Sequence, residues 1–97
     1  MRYWILAAIL AVSAGQAQAN IIWQACLSSD RNVNPSLCSC IQAAADRTLS
    51  ARDQRVAASF FSDPDRSEEM RMSKRRTHEA FWDRYKEFGA VAASVCS

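Results

Sequence analysis

Apolar positions along the chain recur with two different patterns. Residues 3–12 (YWILAAILAV) are a continuous apolar run without a charge. From residue 20 onward the apolar positions recur every three or four residues, the period of an amphipathic helix. Ile21, Ile22, Ala25 and Cys26, with Leu27 at the edge, read as a short first helix that Asn20 is placed to cap. Residues 28–34 (SSDRNVN) are a polar turn. Asn34-Pro35 opens a second helix, with Asn as N-cap and Pro at the first helical position. Its stripe is Leu37, Ile41, Ala44 or Ala45, and Leu49, and Cys38 and Cys40 flank it about 60° to either side.

Ser50-Ala51-Arg52-Asp53 has the spacing of a new helix start, with Asp where Glu or Gln is usual. Val56, Ala57, Phe60 and Phe61 then form a double stripe. Ser62-Asp63-Pro64-Asp65 ends that helix and supplies a cap and a first-turn proline for the next. Glu68 and Glu69 fall in its first turns, where the helix dipole favours acids. One long last helix is expected from about residue 64 or 67 towards Cys96. Phe81, Tyr85, Phe88, Ala92 and Val95 form its apolar row, with Trp82, Gly89 and Cys96 beside them. Gly89 reads either as a break in that helix or as a contact point for a second backbone. The pattern predicts an all-α fold, a compact bundle of about four helices, with no internal repeat.

The first run has a different meaning. Met1-Arg2 is a positive start, residues 3–12 an apolar stretch, and Ala17-Gln18-Ala19 a small-residue cleavage pattern. This is the layout of a secretory signal peptide over residues 1–19. A membrane-spanning helix needs about 20 apolar residues, roughly twice this run. Cys26 lies well beyond the run and follows Ile22-Trp23-Gln24-Ala25, which is not a lipid-attachment pattern. The expectation is an exported protein, periplasmic or secreted, whose residues 20–97 form a single domain with no membrane span.

Composition sharpens this picture. The 97 residues hold two Gly and two Pro, too few for the turns of an all-β fold. A hydrophobic fraction of 49% argues against a disordered chain. A net charge of +2 argues against a nucleic-acid partner, which calls for a strongly basic domain. The four cysteines, Cys26, Cys38, Cys40 and Cys96, all follow the cleavage pattern. An even count in a short exported chain reads as a disulfide framework. A Cys38–Cys40 bond is excluded by helix geometry, because residues two apart point about 200° from one another. Two pairings remain. A turn centred between the first two helices favours Cys26–Cys38 with Cys40–Cys96, and Cys26–Cys40 with Cys38–Cys96 stays open. A C-x-C pair is a poor zinc clamp beside the usual C-x₂₋₄-C, so no metal is expected.

Candidate functional residues are few. Arg71, Lys74, Arg75 and Arg76 form the densest charge cluster, suited to phosphate, an anionic headgroup or an acidic partner. The plainer reading is a solvated helix face, with Arg75 paired to Glu79 one turn on. Phe81, Trp82, Tyr85 and Phe88 could line a pocket, but such a stripe more often forms core, and Lys86 is placed to pack on Trp82. Trp23 suits either packing under the first bridge or a partner contact. His78-Glu79 begins an H-E-x-x-H motif, but Trp82 stands at the second histidine position. The chain has no G-x-S-x-G setting and no glycine-rich phosphate loop. No catalytic residue and no cofactor is expected.

Cys38-Ser39-Cys40-Ile41-Gln42, Ala45-Asp46-Arg47-Thr48-Leu49, residues 58–64 (ASFFSDP), residues 81–89 (FWDRYKEFG) and Cys96 stand out together. They resemble a family of small exported, four-cysteine helical bacterial proteins, largely uncharacterised, some of them labelled "arginine transporter". The resemblance covers nearly all of residues 20–97 and implies no site residues. Three functional expectations follow. The first is a non-catalytic envelope interaction or accessory protein. The second is a small-ligand-binding accessory of amino-acid transport, with Asp83 and Glu79 beside Trp82 as the acids for a guanidinium. The third is a small periplasmic chaperone. The expected partner is an envelope protein or a small molecule.

Overall fold

The computed structural model describes residues 20–29 and 33–96, and within them five α-helices and no strand. The signal-peptide pattern lies outside the described residues. Helix α1 is Ile21–Ser28, α2 Pro35–Thr48, α3 Ala51–Ser62, α4 Pro64–Met72 and α5 Arg76–Val95. Helix α1 packs on α2 and α3, α5 packs on α2 and α4, and α3 meets α4.

Local signals set most of these boundaries. The side chain of Asn34 accepts the Leu37 N–H at 2.7 Å, and Pro35 follows it at the helix start. Ser50 Oγ accepts the Asp53 N–H at 3.1 Å. Asn20 and Asp63 stand at the N-cap positions of α1 and α4 without a side-chain cap bond. Their carbonyls accept instead, from Gln24 N–H at 2.9 Å and Arg66 N–H at 3.0 Å.

The core collects Ile22, Ala44, Ala45, Leu49, Ala57, Phe60, Phe81 and Phe88. Three of these are alanines, so α1, α2 and α3 approach one another over small side chains. The larger volume comes from aromatic rings between α3 and α5. Phe60 meets Phe81 edge-on at 6.1 Å and Tyr85 edge-on at 5.2 Å, and Tyr85 stacks on Phe81 at 5.9 Å. Such pairs contribute about 0.5–1.5 kcal/mol beyond the area they bury.

Both disulfides form in the favoured pairing. Cys26–Cys38 joins α1 to α2, and Cys40–Cys96 joins α2 to the end of α5, with Cα–Cα distances of 5.6 and 5.7 Å. No helix among the described residues is long and apolar enough to cross a membrane.

Two expectations are corrected. The long last helix is split, because the chain leaves helical conformation at residues 73–75. Ser73 closes α4 through its N–H, bonded to Met70 O at 3.2 Å. Its hydroxyl accepts the Arg75 N–H at 3.2 Å and lies 2.7 Å from His78 Nδ1. A serine side chain thus competes for backbone groups that a continuous helix would use. The second correction is Gly89. It neither breaks α5, which runs to Val95, nor admits a second backbone, since a Cβ placed there meets nothing within 4 Å. An exposed glycine inside a helix costs about 0.5–1 kcal/mol relative to alanine. Gly89→Ala is therefore expected to stabilise the fold by about 0.5–1 kcal/mol, read as a higher urea midpoint at unchanged slope.

Candidate functional site

The break between α4 and α5 gathers the basic run. Lys74, Arg75 and Arg76 are exposed on three consecutive positions of this elbow. Met72, 67% exposed, lies two positions before Lys74, at the end of α4. Among the described residues the ion pairs are Arg71–Glu68 at 2.7 Å, Arg84–Asp53 at 2.7 Å and Lys86–Asp83 at 3.7 Å. None of them takes up Lys74, Arg75 or Arg76. The expected Arg75–Glu79 pair is not among them. Arg71 differs from the other three cations, because Glu68 holds it through both its Nε and its terminal nitrogen.

The local electrostatics are uneven. Arg71 stands in the last turn of α4, where the helix dipole favours a cation. Arg75 and Arg76 stand at the N-cap and first position of α5, where the dipole favours an anion, and α5 has no side-chain cap. The first acid of α5 is Glu79. The elbow is therefore an electropositive corner, made of three cations and the amino end of a 20-residue helix.

The other candidates are dispersed over the fold. His78 is half-buried and, with Val56, Phe60, Arg66 and Met70, lines an open recess of about 290 Å³. Phe81 and Phe88 are buried in the core, and Tyr85 packs against both. The aromatic stripe is thus mostly core. Trp82 is its outlying member, stacked obliquely on Tyr85 at 5.1 Å. It reaches a second open recess of about 310 Å³ between α4 and α5, with Met70, Arg71, Glu79 and Asp83. Lys86 pairs with Asp83. Trp23 is half-buried beside a shallow groove of about 490 Å³ shared with Ser39, Gln42 and Asp46.

The structure also holds a polar cluster that sequence reasoning missed. Gln42 Oε1 accepts the Trp23 N–H at 2.8 Å. Its amide donates to Gln54 Oε1 and Asp46 Oδ1, both at 2.9 Å. Gln54 donates to Asp46 Oδ1 at 3.2 Å and Leu49 O at 3.3 Å. Both glutamines are buried, and no buried side-chain polar atom among the described residues lacks a partner. The spacing of Gln42 and Asp46, one turn apart on α2, was the signal available in the sequence. Among the described residues no three His, Cys, Asp or Glu converge as a metal site. No family model, curated protein or solved structure matches the chain.

The Arg71–Glu68 pair has a titration signature. The hydrogen bond from Arg71, then its charge, holds the Glu68 carboxyl below its ordinary value of 4.5 and raises Arg71 in turn. A carboxylate lowered on folding stabilises the folded state above its ordinary value, and that contribution is lost as pH falls through the lowered one. NMR titration of Glu68 is expected to give a midpoint below 4.5, and Arg71→Gln to return it upward. A midpoint unchanged by Arg71→Gln would show that solvent screens the pair completely.

Proposed function

We propose that this chain is a non-catalytic interaction protein of the cell envelope, exported by its N-terminal segment, and that the α4–α5 elbow is its contact surface for an acidic partner. The carrying observation is the run of three exposed cations at the elbow, outside every ion pair among the described residues, beside an exposed Met72. Cations at the amino end of a helix work against that helix. A local choice that opposes the fold points to a use outside the fold. Methionine adapts its shape to a partner, and the cations steer that partner's acidic groups. Two disulfides suit an exported setting.

The test is a photo-crosslinking residue in place of Met72, in cells of the source organism. A discrete adduct is expected, lost when Lys74→Glu, Arg75→Glu and Arg76→Glu are combined. The same residue at Ala93, exposed on the far part of α5, serves as control. An adduct that survives the charge reversal, or none from Met72, overturns the assignment.

A second reading has its own observation. Glu79, Trp82 and Asp83 line one recess, an indole wall with two carboxylates suited to a guanidinium or ammonium group. The recess is open and small for a ligand site, and Arg71 stands on its rim. A small-ligand accessory of amino-acid transport predicts heat on calorimetric titration with arginine, reduced by Trp82→Ala. No heat with arginine removes this reading.

A further inference from the structure

The two disulfides meet solvent differently. Cys26 is 2% exposed and Cys38 0%, so the α1–α2 bridge is sealed. Cys40 and Cys96 are only half-buried, and neither belongs to the core. Cys96 is the first residue past α5, and Ala93, Ser94 and Val95 before it are all exposed. Ser39, next to Cys40 on α2, is exposed as well. The second bridge is thus partly open to solvent and flanked along the chain by exposed residues.

Exchange requires an attacking thiolate to reach a sulfur of the bridge, so access selects between two otherwise similar bonds. We propose that Cys40–Cys96 is a thiol–disulfide exchange site that opens and closes with an external dithiol while the protein stays folded, and that Cys26–Cys38 is its permanent staple. In the forward step a dithiol thiolate bonds to one sulfur of the bridge. The Cys40–Cys96 bond breaks, and the departing sulfur leaves as a thiolate and takes a proton from water. The reductant's second thiol, deprotonated, then attacks the mixed disulfide. It leaves as part of the reductant's own disulfide and returns the other cysteine as a thiol. Two electrons pass from the dithiol to the bridge, and an oxidised dithiol protein reverses the exchange.

The consequence is local. The anchors of α5 up to residue 88 are Phe81, Phe88, the partly buried Trp82 and Tyr85, and the Arg84–Asp53 pair. Among the described residues beyond 88, only Val91 and Ala92 pack against the core. Opening the bridge therefore loosens residues 89–96, a low-stability segment of the kind that opens without global unfolding. Helices α1, α2 and α3 keep their bridge, their alanine contacts and the Gln42–Gln54 cluster.

The experiment is limited reduction of the intact chain with dithiothreitol, quenched by alkylation and read by peptide mapping. Cys40 and Cys96 are expected to label at least about tenfold faster than Cys26 and Cys38, at a rate proportional to reductant concentration. Hydrogen exchange on the singly reduced species is expected to quicken over residues 89–96 and to stay unchanged in α1 and α2. Equal labelling of both bridges overturns the proposal. So does a Cys40–Cys96 opening rate that is independent of dithiothreitol, because opening would then wait on unfolding.

Discussion

Helix α2 is held from both sides, and the rest of the fold is arranged around that constraint. Cys38 and Cys40 are two residues apart on one helix, so their side chains leave it in nearly opposite directions. One bridge takes α1 and the other takes the end of α5. The short loop closed between Cys26 and Cys38 limits the unfolded chain by about 3 kcal/mol in the chain-entropy account, and the long one between Cys40 and Cys96 by about 4 kcal/mol. A chain of this size buries a smaller share of its unfolded surface than a larger domain does, so constraints of that magnitude count heavily beside its core. With α1 and α5 fixed on opposite flanks of α2, helix α3 lies against α1, and its side chains reach α5.

Those side chains show a division of labour across α3. Its Ala57 lies in the core with the α2 alanines, and Phe60 extends to the aromatic rings of α5. Asp53 does two things at once. Its N–H is capped by Ser50, and its carboxylate receives Arg84 Nε at 2.7 Å and the terminal nitrogen at 3.2 Å. That two-point contact raises the Arg84 guanidinium still further, through the hydrogen bond first. The Arg84 side chain is 46% exposed, so the pair orients α5 against α3 more than it stabilises the fold. Gln42 and Gln54 do the corresponding work between α2 and α3, where the Gln42 amide donates to Gln54 Oε1 in a buried position.

The starts of α1 to α4 and the staple pattern were legible in the sequence because they depend on short-range chemistry. Asn34-Pro35 and Ser50-x-x-Asp53 place acceptors at fixed offsets from amides that need them. The spacing of Cys26 and Cys38 about the polar stretch between two apolar stripes favoured their pairing, and the bridge joins them. The elbow at residues 73–75 was not legible, since the apolar period of α5 carries no mark of where the helix begins. Its cause is a side-chain contact from Ser73 to His78, five positions on. Gly89 misled because glycine has many uses, and here a Cβ in its place would meet nothing within 4 Å. The Asp53–Arg84 pair joins residues 31 positions apart, and no local rule selects that arginine from the others. Of the basic run, Arg71 separates from its neighbours only once Glu68 is seen to hold it.

The same separation explains why the elbow tolerates an unfavourable charge arrangement. Helix α4 contributes no fully buried residue, and the elbow lies at the opposite end of α5 from the Cys40–Cys96 bridge. Charge repulsion among Lys74, Arg75 and Arg76 is exposed to solvent, where each such interaction is small and screened. Helix α5 meets this cost at its first turn, while Phe81, Phe88 and the bridge secure it further along. A residue placed against the helix dipole in the interior of the bundle would have no such reserve. The stapled part of the molecule therefore lets the part that contributes least to the core carry Lys74, Arg75 and Arg76.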